Sequence, residues 1–457
     1  MKALAYLVLV VCVGMGCGSD AHSASLPDAP GSIDAPGSPG QPDAGSVTLM
    51  ILTGAPPALI AWREETSTSW RVLDVANRAG FEIAVAVGAP FRLVVVCVNA
   101  AQASVNEYER TPADGATLHN ECGGDPVPTP FTLRGQVNQL GEVFFAGGGR
   151  DQGSAPPPWS FTLPVAAGTS DLAVMFGDSA LTLDRVAIRR GITVAGDLDL
   201  GVIDATTEDT HTLVPISFTP SNPLPGEQLT HFAVLELNGT SAFLSDAIRQ
   251  TTTTWNAKLA PAEALSSTDL QVVQLEADLM LPSTPGVEKE QRRLVIRDAA
   301  VSDSPQVTLP DPMGATTFDL SVERVVATWS SLPAYDTLLV SRIGSANKSV
   351  RAAHALLISP SYVAAVGVHA ATFDLSDVPG FLNAWKVSPA FPQTLNFQTL
   401  LTVSSTERTV SAVTQRLSAT TPLAVAAALD FADRAQPGVS SFSVDSSTRR
   451  AKSDSLK

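Results

Sequence analysis

With 45 acidic against 29 basic side chains over 457 residues, the chain carries a formal charge of −16, which argues against unassisted binding to nucleic acid or another polyanion. Hydrophobic residues reach 44% and charged ones only 16%, which excludes a wholly disordered chain, and the length exceeds one ordinary core. Nothing in the sequence calls for a cofactor.

The chain opens on Lys2, the apolar run Ala3–Met15 and the small residue Gly16, followed by Cys17. This is the layout of a secretory leader, too short to cross a bilayer stably. The stretch Val13-Gly14-Met15-Gly16-Cys17-Gly18-Ser19 resembles the cleavage box of bacterial lipoproteins, in which a signal peptidase cuts before a cysteine that then receives lipid. The resemblance covers only the leader and the residues beside Cys17. It implies a signal peptide over 1–16, lipidation of Cys17, and attachment to the outer membrane with either face open. Two or three acyl chains make departure from a bilayer rare.

Residues 17–46 are rich in Pro, Gly, Ser, Ala and Asp, and Leu26 and Ile33 are their only sizeable apolar side chains. Such a segment cannot repay backbone ordering and is expected to be a disordered tether spanning on the order of 30 Å.

Beyond it, short apolar or period-two runs recur with Gly, Pro, Asn or Asp between them. In chain order they are Val47–Leu52, Trp70–Val75, Phe81–Val87, Phe91–Val98, Phe131–Val137, Glu142–Ala146, Ser160–Val165, Asp171–Phe176, Ala180–Ile188, Ile192–Leu200 and Thr212–Phe218. These are strand lengths, spaced too closely for crossover helices. Phe232–Leu237 and Leu270–Leu281 continue the pattern, with Thr240–Arg249 read as a short helix between them. Strand-like runs return from Thr317 to Leu417, Leu423–Ala435 reads as a helix, and Ser446–Lys457 as a frayed polar tail. Near-identical heptapeptides at Ala315–Ser321 and Ala370–Ser376, fifty-five residues apart, suggest equivalent strands. Glu323–Ile343, with Trp329 ahead of Leu332-Pro333-Ala334-Tyr335-Asp336, resembles the second and third strands of a fibronectin type III-like module.

The expected fold is mainly β: multidomain antiparallel β-sandwiches, immunoglobulin- or fibronectin-like, after the tether. Segments are expected at 47–128, 129–218, 219–312 and 313–457, the second-last of uncertain type.

Two cysteines remain in the folded region, Cys97 and Cys122. Outside the cytosol they are most simply a disulfide, stabilising by roughly 3 kcal/mol and pinning a polar surface loop, Asn99–Glu121, to a core strand. A metal site with His119 as third ligand is the rival reading, but it lacks a compelling fourth ligand and a C-x-x-C unit.

Val174-Met175-Phe176-Gly177-Asp178-Ser179 resembles the nucleophile block of GDSL ester hydrolases, which would make Ser179 the nucleophile. No histidine follows an aspartate by three positions, as that family's pattern requires, so Ser179 reads as a turn residue. Asp197, Asp199 and Asp204 are weak calcium candidates, more simply a solvated acidic face. Six tryptophans, at 62, 70, 159, 255, 329 and 385, could include a carbohydrate platform but are equally well explained as core.

No catalytic residue emerges. The function expected is a non-catalytic cell-envelope lipoprotein, structural or binding, whose partners are the membrane and an envelope protein or polysaccharide. The alternatives are a carbohydrate- or protein-binding module and an ester or glycoside hydrolase.

Overall fold

A computed structural model describes residues 45–404 and 441–453, apart from breaks at 54, 99–101, 121, 123–130, 146–148, 154–155, 178–182, 238–239, 251–253, 281–288, 299–305, 315, 321–324, 333–334, 336, 368 and 389. The expected signal peptide, Cys17, the expected tether up to residue 44, Ser179 and the helix expected at Leu423–Ala435 lie outside the described residues.

The first strands are β1 (Ser46–Leu52), β2 (Leu59–Glu64), β3 (Arg71–Val72), β4 (Gly80–Ala86), β5 (Phe91–Val98), β6 (Gln102–Arg110) and β7 (Thr117–His119). There follow β8 (Phe131–Val137), β9 (Gly141–Phe145), β10 (Gly149–Gly153), β11 (Trp159–Val165), β12 (Gly168–Gly177), β13 (Leu183–Val194), β14 (Leu198–Ile203) and β15 (Thr210–Thr212). Next come β16 (Val214–Pro220), β17 (Gln228–Leu237), β18 (Thr240–Gln250), β19 (Trp255–Leu259), β20 (Leu270–Met280), β21 (Lys289–Asp298) and β22 (Gln306–Val307). The last group is β23 (Thr316–Leu320), β24 (Val325–Trp329), β25 (Thr337–Ser345), β26 (Arg351–Ile358), helix α1 (Pro360–Val366), β27 (Ala370–Thr372), β28 (Gln393–Ser404) and β29 (Ser441–Ser453).

The architecture is mainly β, as the spacing of apolar runs predicts. One sheet of twelve strands, ordered β18-β17-β20-β21-β29-β28-β25-β26-β6-β5-β2-β3, draws on residues from 59 to 453. Five smaller sheets accompany it: β4-β1-β7, β10-β9-β12-β13-β15, β11-β8-β14, β19-β16-β22 and β23-β24-β27. Most pairs are antiparallel, but β1–β7, β8–β14, β16–β22 and β6–β26 are parallel. Each parallel pair joins strands well separated in sequence, as parallel pairing requires.

Burial follows pattern. β11 alternates buried and exposed residues along its whole length, so one face is packed and one is wet. β12 is buried without a break from Ser170 to Gly177, because its sheet is covered on both sides. Leu172, Val174 and Phe176 pack with β8 and β11, while Ala173 and Met175 join a separate core with Leu235, Trp255 and Leu275. β9 must approach β12 closely, since a Cβ on Gly141 would lie 2.0 Å from the Met175 carbonyl oxygen.

Several expectations need correcting. Thr240–Arg249 is not a helix but most of β18, antiparallel to β17; cross-strand pairing outweighs a modest local helical preference. Ser441–Ser453 is a strand, not a frayed tail, paired on both sides with β21 and β28. Ile192–Leu200 is not one strand but the end of β13, a turn and the start of β14. The two similar heptapeptides carry β23 and β27, which flank β24 within a single sheet.

Two predictions arise from the packing. His231 on β17 is 5% exposed with both ring nitrogens unbonded, and burial pushes its pKa down to about 4. The folded state therefore takes up this proton later than the unfolded chain, so stability falls as pH drops from about 6.5 towards 4 and is level above. His231→Leu is expected to remove up to about 3 kcal/mol of that acid sensitivity, read by denaturant titration at pH 7 and pH 4. Gly141→Ala forces β9 away from backbone atoms rather than a flexible side chain, and should cost about 1–3 kcal/mol in the same assay.

Candidate functional site

A cluster of buried ionisable groups among the described residues centres on the stretch expected to be a polar surface loop. Residues 102–110 form β6, which sits between β5 and β26 inside the long sheet, so the loop expected at Asn99–Glu121 is corrected to a central strand followed by the short β7. Polar side chains there mark paired charges in a core. On one face of β6, Val105, Glu107 and Glu109 alternate inward with Val94 and Val96 of β5, while the other face carries Tyr108 into a separate apolar core.

Arg92 of β5 lies directly opposite Glu109 and beside Glu107. Its Nε donates to Glu107 Oε1 at 2.9 Å, its Nη2 donates to the same oxygen, and Nε stands 3.5 Å from Glu109 Oε1. From β26, His354 Nε2 stands 3.4 Å from Glu107 Oε2, outside hydrogen-bond geometry, and its ring packs against Phe373 at 4.3 Å. The Glu107 side chain has no solvent exposure and that of His354 is 10% exposed.

Burial opposes ionisation of Glu107, but Arg92 and His354 outweigh it and hold its carboxyl below the ordinary range. Glu109 goes the other way: burial and the neighbouring Glu107 charge push it up to about 8. Burial also lowers the imidazole of His354. Near neutral pH the cluster therefore holds an ionic Arg92–Glu107 pair beside a protonated Glu109 and a neutral His354.

A segment after β26 closes over this cluster. Ser359 caps α1, its hydroxyl accepting from the Tyr362 N–H, and Pro360 begins the helix where a missing N–H costs nothing. The Ser359 N–H donates to the Glu109 carbonyl at 3.0 Å, Ser361 Oγ donates to the Asp114 carboxylate at 2.7 Å, and the Tyr362 hydroxyl donates to Glu65 Oε1 at 2.6 Å. Farther along, Asp377 Oδ2 accepts from Arg63 at 3.1 Å and from Trp70 Nε1 at 3.0 Å.

The expected site residues are placed as follows. Cys97 and Cys122 are bonded to each other and buried, so the two thiolates of the rival metal site with His119 are not available. The bridge ties the end of β5 to the chain after β7, where the Cys122 N–H also donates to the Thr53 carbonyl. Asp197 precedes β14 and accepts from the Thr132 N–H. Asp199 accepts from the Gly201 N–H in a bulge where Gly201 has φ +67°, a conformation glycine adopts freely. Asp204 accepts from the Thr206 N–H and hydroxyl, which lower its pKa. Each carboxylate accepts from a backbone N–H, and among the described residues no three His, Cys, Asp or Glu side chains converge as a metal site.

Trp62, Trp159, Trp255 and Trp329 are buried. Trp70 and Trp385 are half-buried; the Arg63 guanidinium lies 4.7 Å over the Trp70 ring, and Trp385 meets Phe381 edge-on at 5.6 Å. A concavity of about 230 Å³ beside β16 and β19 is lined by Val214, Ile216, Leu259 and Leu265, among others. It is smaller than the roughly 300–1,000 Å³ of ordinary small-molecule sites. No described helix is long and apolar enough to cross a membrane.

No family model matches the chain, and no curated protein does. Among solved structures the chain is similar to the crystal structure of the chicken CNTN1 FN1–FN3 domains, at 7% identity over 78% of this chain and 93% of that one, with a TM-score of 0.13. The β-sandwich architecture rests on the strand pairings themselves.

Glu107→Ala would leave Arg92 buried without its main partner and is expected to destabilise the protein by about 3–5 kcal/mol, whereas Arg92→Met with Glu107→Leu should cost far less. Denaturant titration of both variants checks the contrast.

Proposed function

We propose that this protein is a lipid-anchored, non-catalytic component of the bacterial cell envelope, structural or binding in role and held at the outer membrane through Cys17. The observation that carries this reading is the buried Cys97–Cys122 disulfide. Such a bond forms and persists in oxidising compartments, which accords with an N-terminal leader and a lipidation cysteine. The ionisable groups clustered at β6 lie beside α1 and Phe373 and are engaged with one another, an arrangement that suits a rigid scaffold. Expected partners are the membrane and an envelope protein or polysaccharide.

Recognition of a polysaccharide or protein is the binding form of the same reading. Its best surface is the pair Phe381 and Trp385 beside Leu382, which is 52% exposed. An apolar ring with a polar rim is the chemistry on which sugar faces stack, and Lys386, whose Nζ lies 5.8 Å from the Phe381 ring centre, supplies that rim.

Membrane fractionation and intact mass of the native-host protein beside Cys17→Ala test the anchor. The wild type is expected in the membrane fraction at the mass of a chain starting at Cys17 plus acyl groups, with both properties lost in the variant. An unmodified soluble wild type would overturn the proposal.

A further inference from the structure

Strands β2, β3, β5 and β6 join the rest of the long sheet through one pairing, the parallel ladder in which Arg351–Ile358 lie beside Gln102–Glu109. On the face lined by Val105, Glu107 and Glu109, the seam sets Leu356 and Ile358 of β26 beside the two glutamates, and a set of polar contacts also crosses it. His354 faces Glu107, Ser359 binds the Glu109 backbone, Ser361 binds Asp114, Tyr362 binds Glu65, and Asp377 binds Arg63. We propose that this seam is a proton-sensitive joint, with Glu109 as the group whose ionisation loosens the fastening of residues 351–366 to β6.

The charge balance around Glu109 explains why. The groups facing it are Arg92 from β5, Glu107 from β6, Arg63 and Glu65 from the end of β2, and Tyr362 from α1, while His354 of β26, with Arg342 of β25 near it, faces Glu107. Arg342 donates to Gln393 across the neighbouring strand. Arg63 is paired with Asp377 and Arg92 with Glu107, so an ionised Glu109 adds a carboxylate with no guanidinium of its own beneath the first turn of α1. Its carboxyl accordingly stays protonated up to about pH 8.

An opened seam returns Glu109 to water, where its pKa is near 4.3. Between those values the closed state holds a proton that the open state has lost, so opening becomes more favourable as pH rises and levels off above about 8. His354 acts oppositely, but only below about pH 6.5, where an exposed imidazole would gain a proton. Tyr362 titrates far above the window. From pH 6.5 to 8 the opening constant is therefore expected to rise nearly tenfold per pH unit at first and more slowly near 8, about 15-fold in all, through Glu109.

Hydrogen exchange read by mass spectrometry, corrected for the intrinsic pH dependence of exchange, tests this on peptides covering 102–110 and 351–366, with 168–177 of β12 as an internal reference. The wild type should show the rise in the seam peptides only, and Glu109→Gln should abolish it. Equal pH dependence in wild type and Glu109→Gln, or a reference peptide that follows the seam, overturns the proposal. Should Glu109→Gln fold poorly, Glu65→Gln provides a second arm. Removing one neighbouring negative charge is expected to lower the pH at which the rise levels off, and an unchanged profile overturns the proposal equally. The outcome is independent of whether Cys17 carries lipid.

Discussion

The Arg92–Glu107 pair is the interaction on which the arrangement of the long sheet depends. β6 is the strand through which β2, β3 and β5 reach the remaining eight strands, and it carries two glutamates onto a buried face. Without the guanidinium from β5 that face could not be dehydrated, since an unpaired buried carboxylate costs several kcal/mol. Sharing one arginine between two carboxylates separates their charge states, leaving Glu107 ionic and Glu109 protonated. The same arrangement that lets the strand be buried thereby leaves a group that titrates near neutrality.

Around that seam the molecule uses apolar packing on one side and polar fastening on the other. Tyr108, Ala355, Leu357 and Leu339 join the core shared with β1, β4 and β7, where the disulfide also lies. On the opposite face the apolar cores thin out at the ionic cluster, with Val105 and Leu375 on one side and Leu356 and Phe397 on the other. The disulfide reinforces the apolar side: it constrains the segment holding β6 and β7 by shortening the free chain available on unfolding.

Strands with a simple periodicity were legible from sequence. β5 and β8 coincide with their apolar runs, and β1, β4, β9 and β11 differ from theirs by a residue or so at an end. The cysteine pairing was legible too, because only two cysteines remained. What escaped was strand structure written in polar residues. β6 reads QASVNEYER, and its composition is that of an exposed loop, since the arginine that neutralises it comes from another strand and the histidine beside it from residue 354. β29 reads SFSVDSSTRRAKS, whose polar part from Ser446 onward has the composition of a tail; its ladder partners are β28 and the more distant β21. β18 shows the complementary failure, a local composition compatible with a helix overruled by pairing. One signal was present: alternation of Ala103, Val105, Glu107 and Glu109 against Ser104, Asn106, Tyr108 and Arg110 has period two, with one face half apolar.

The buried ions also bear on register. A parallel pair lacks the tight hairpin that sets alignment in antiparallel neighbours, so β6 and β26 must be aligned by their side chains. A slip by one residue would turn Glu107 and Glu109 towards the face occupied by Tyr108, where Ile60, Leu93, Val95 and Leu118 offer no charge. It would also carry His354 away from Glu107 and shift Ser359 from the Glu109 carbonyl. The penalty for stranding two carboxylates among aliphatic side chains exceeds what an alternative apolar packing could return, by the same desolvation cost that makes the native cluster expensive. A purely hydrophobic seam could be more stable yet would discriminate less sharply between neighbouring alignments. The charges at β6 thus supply alignment where the chain connection cannot, and the protonation of Glu109 follows from placing that alignment device in a dry interior.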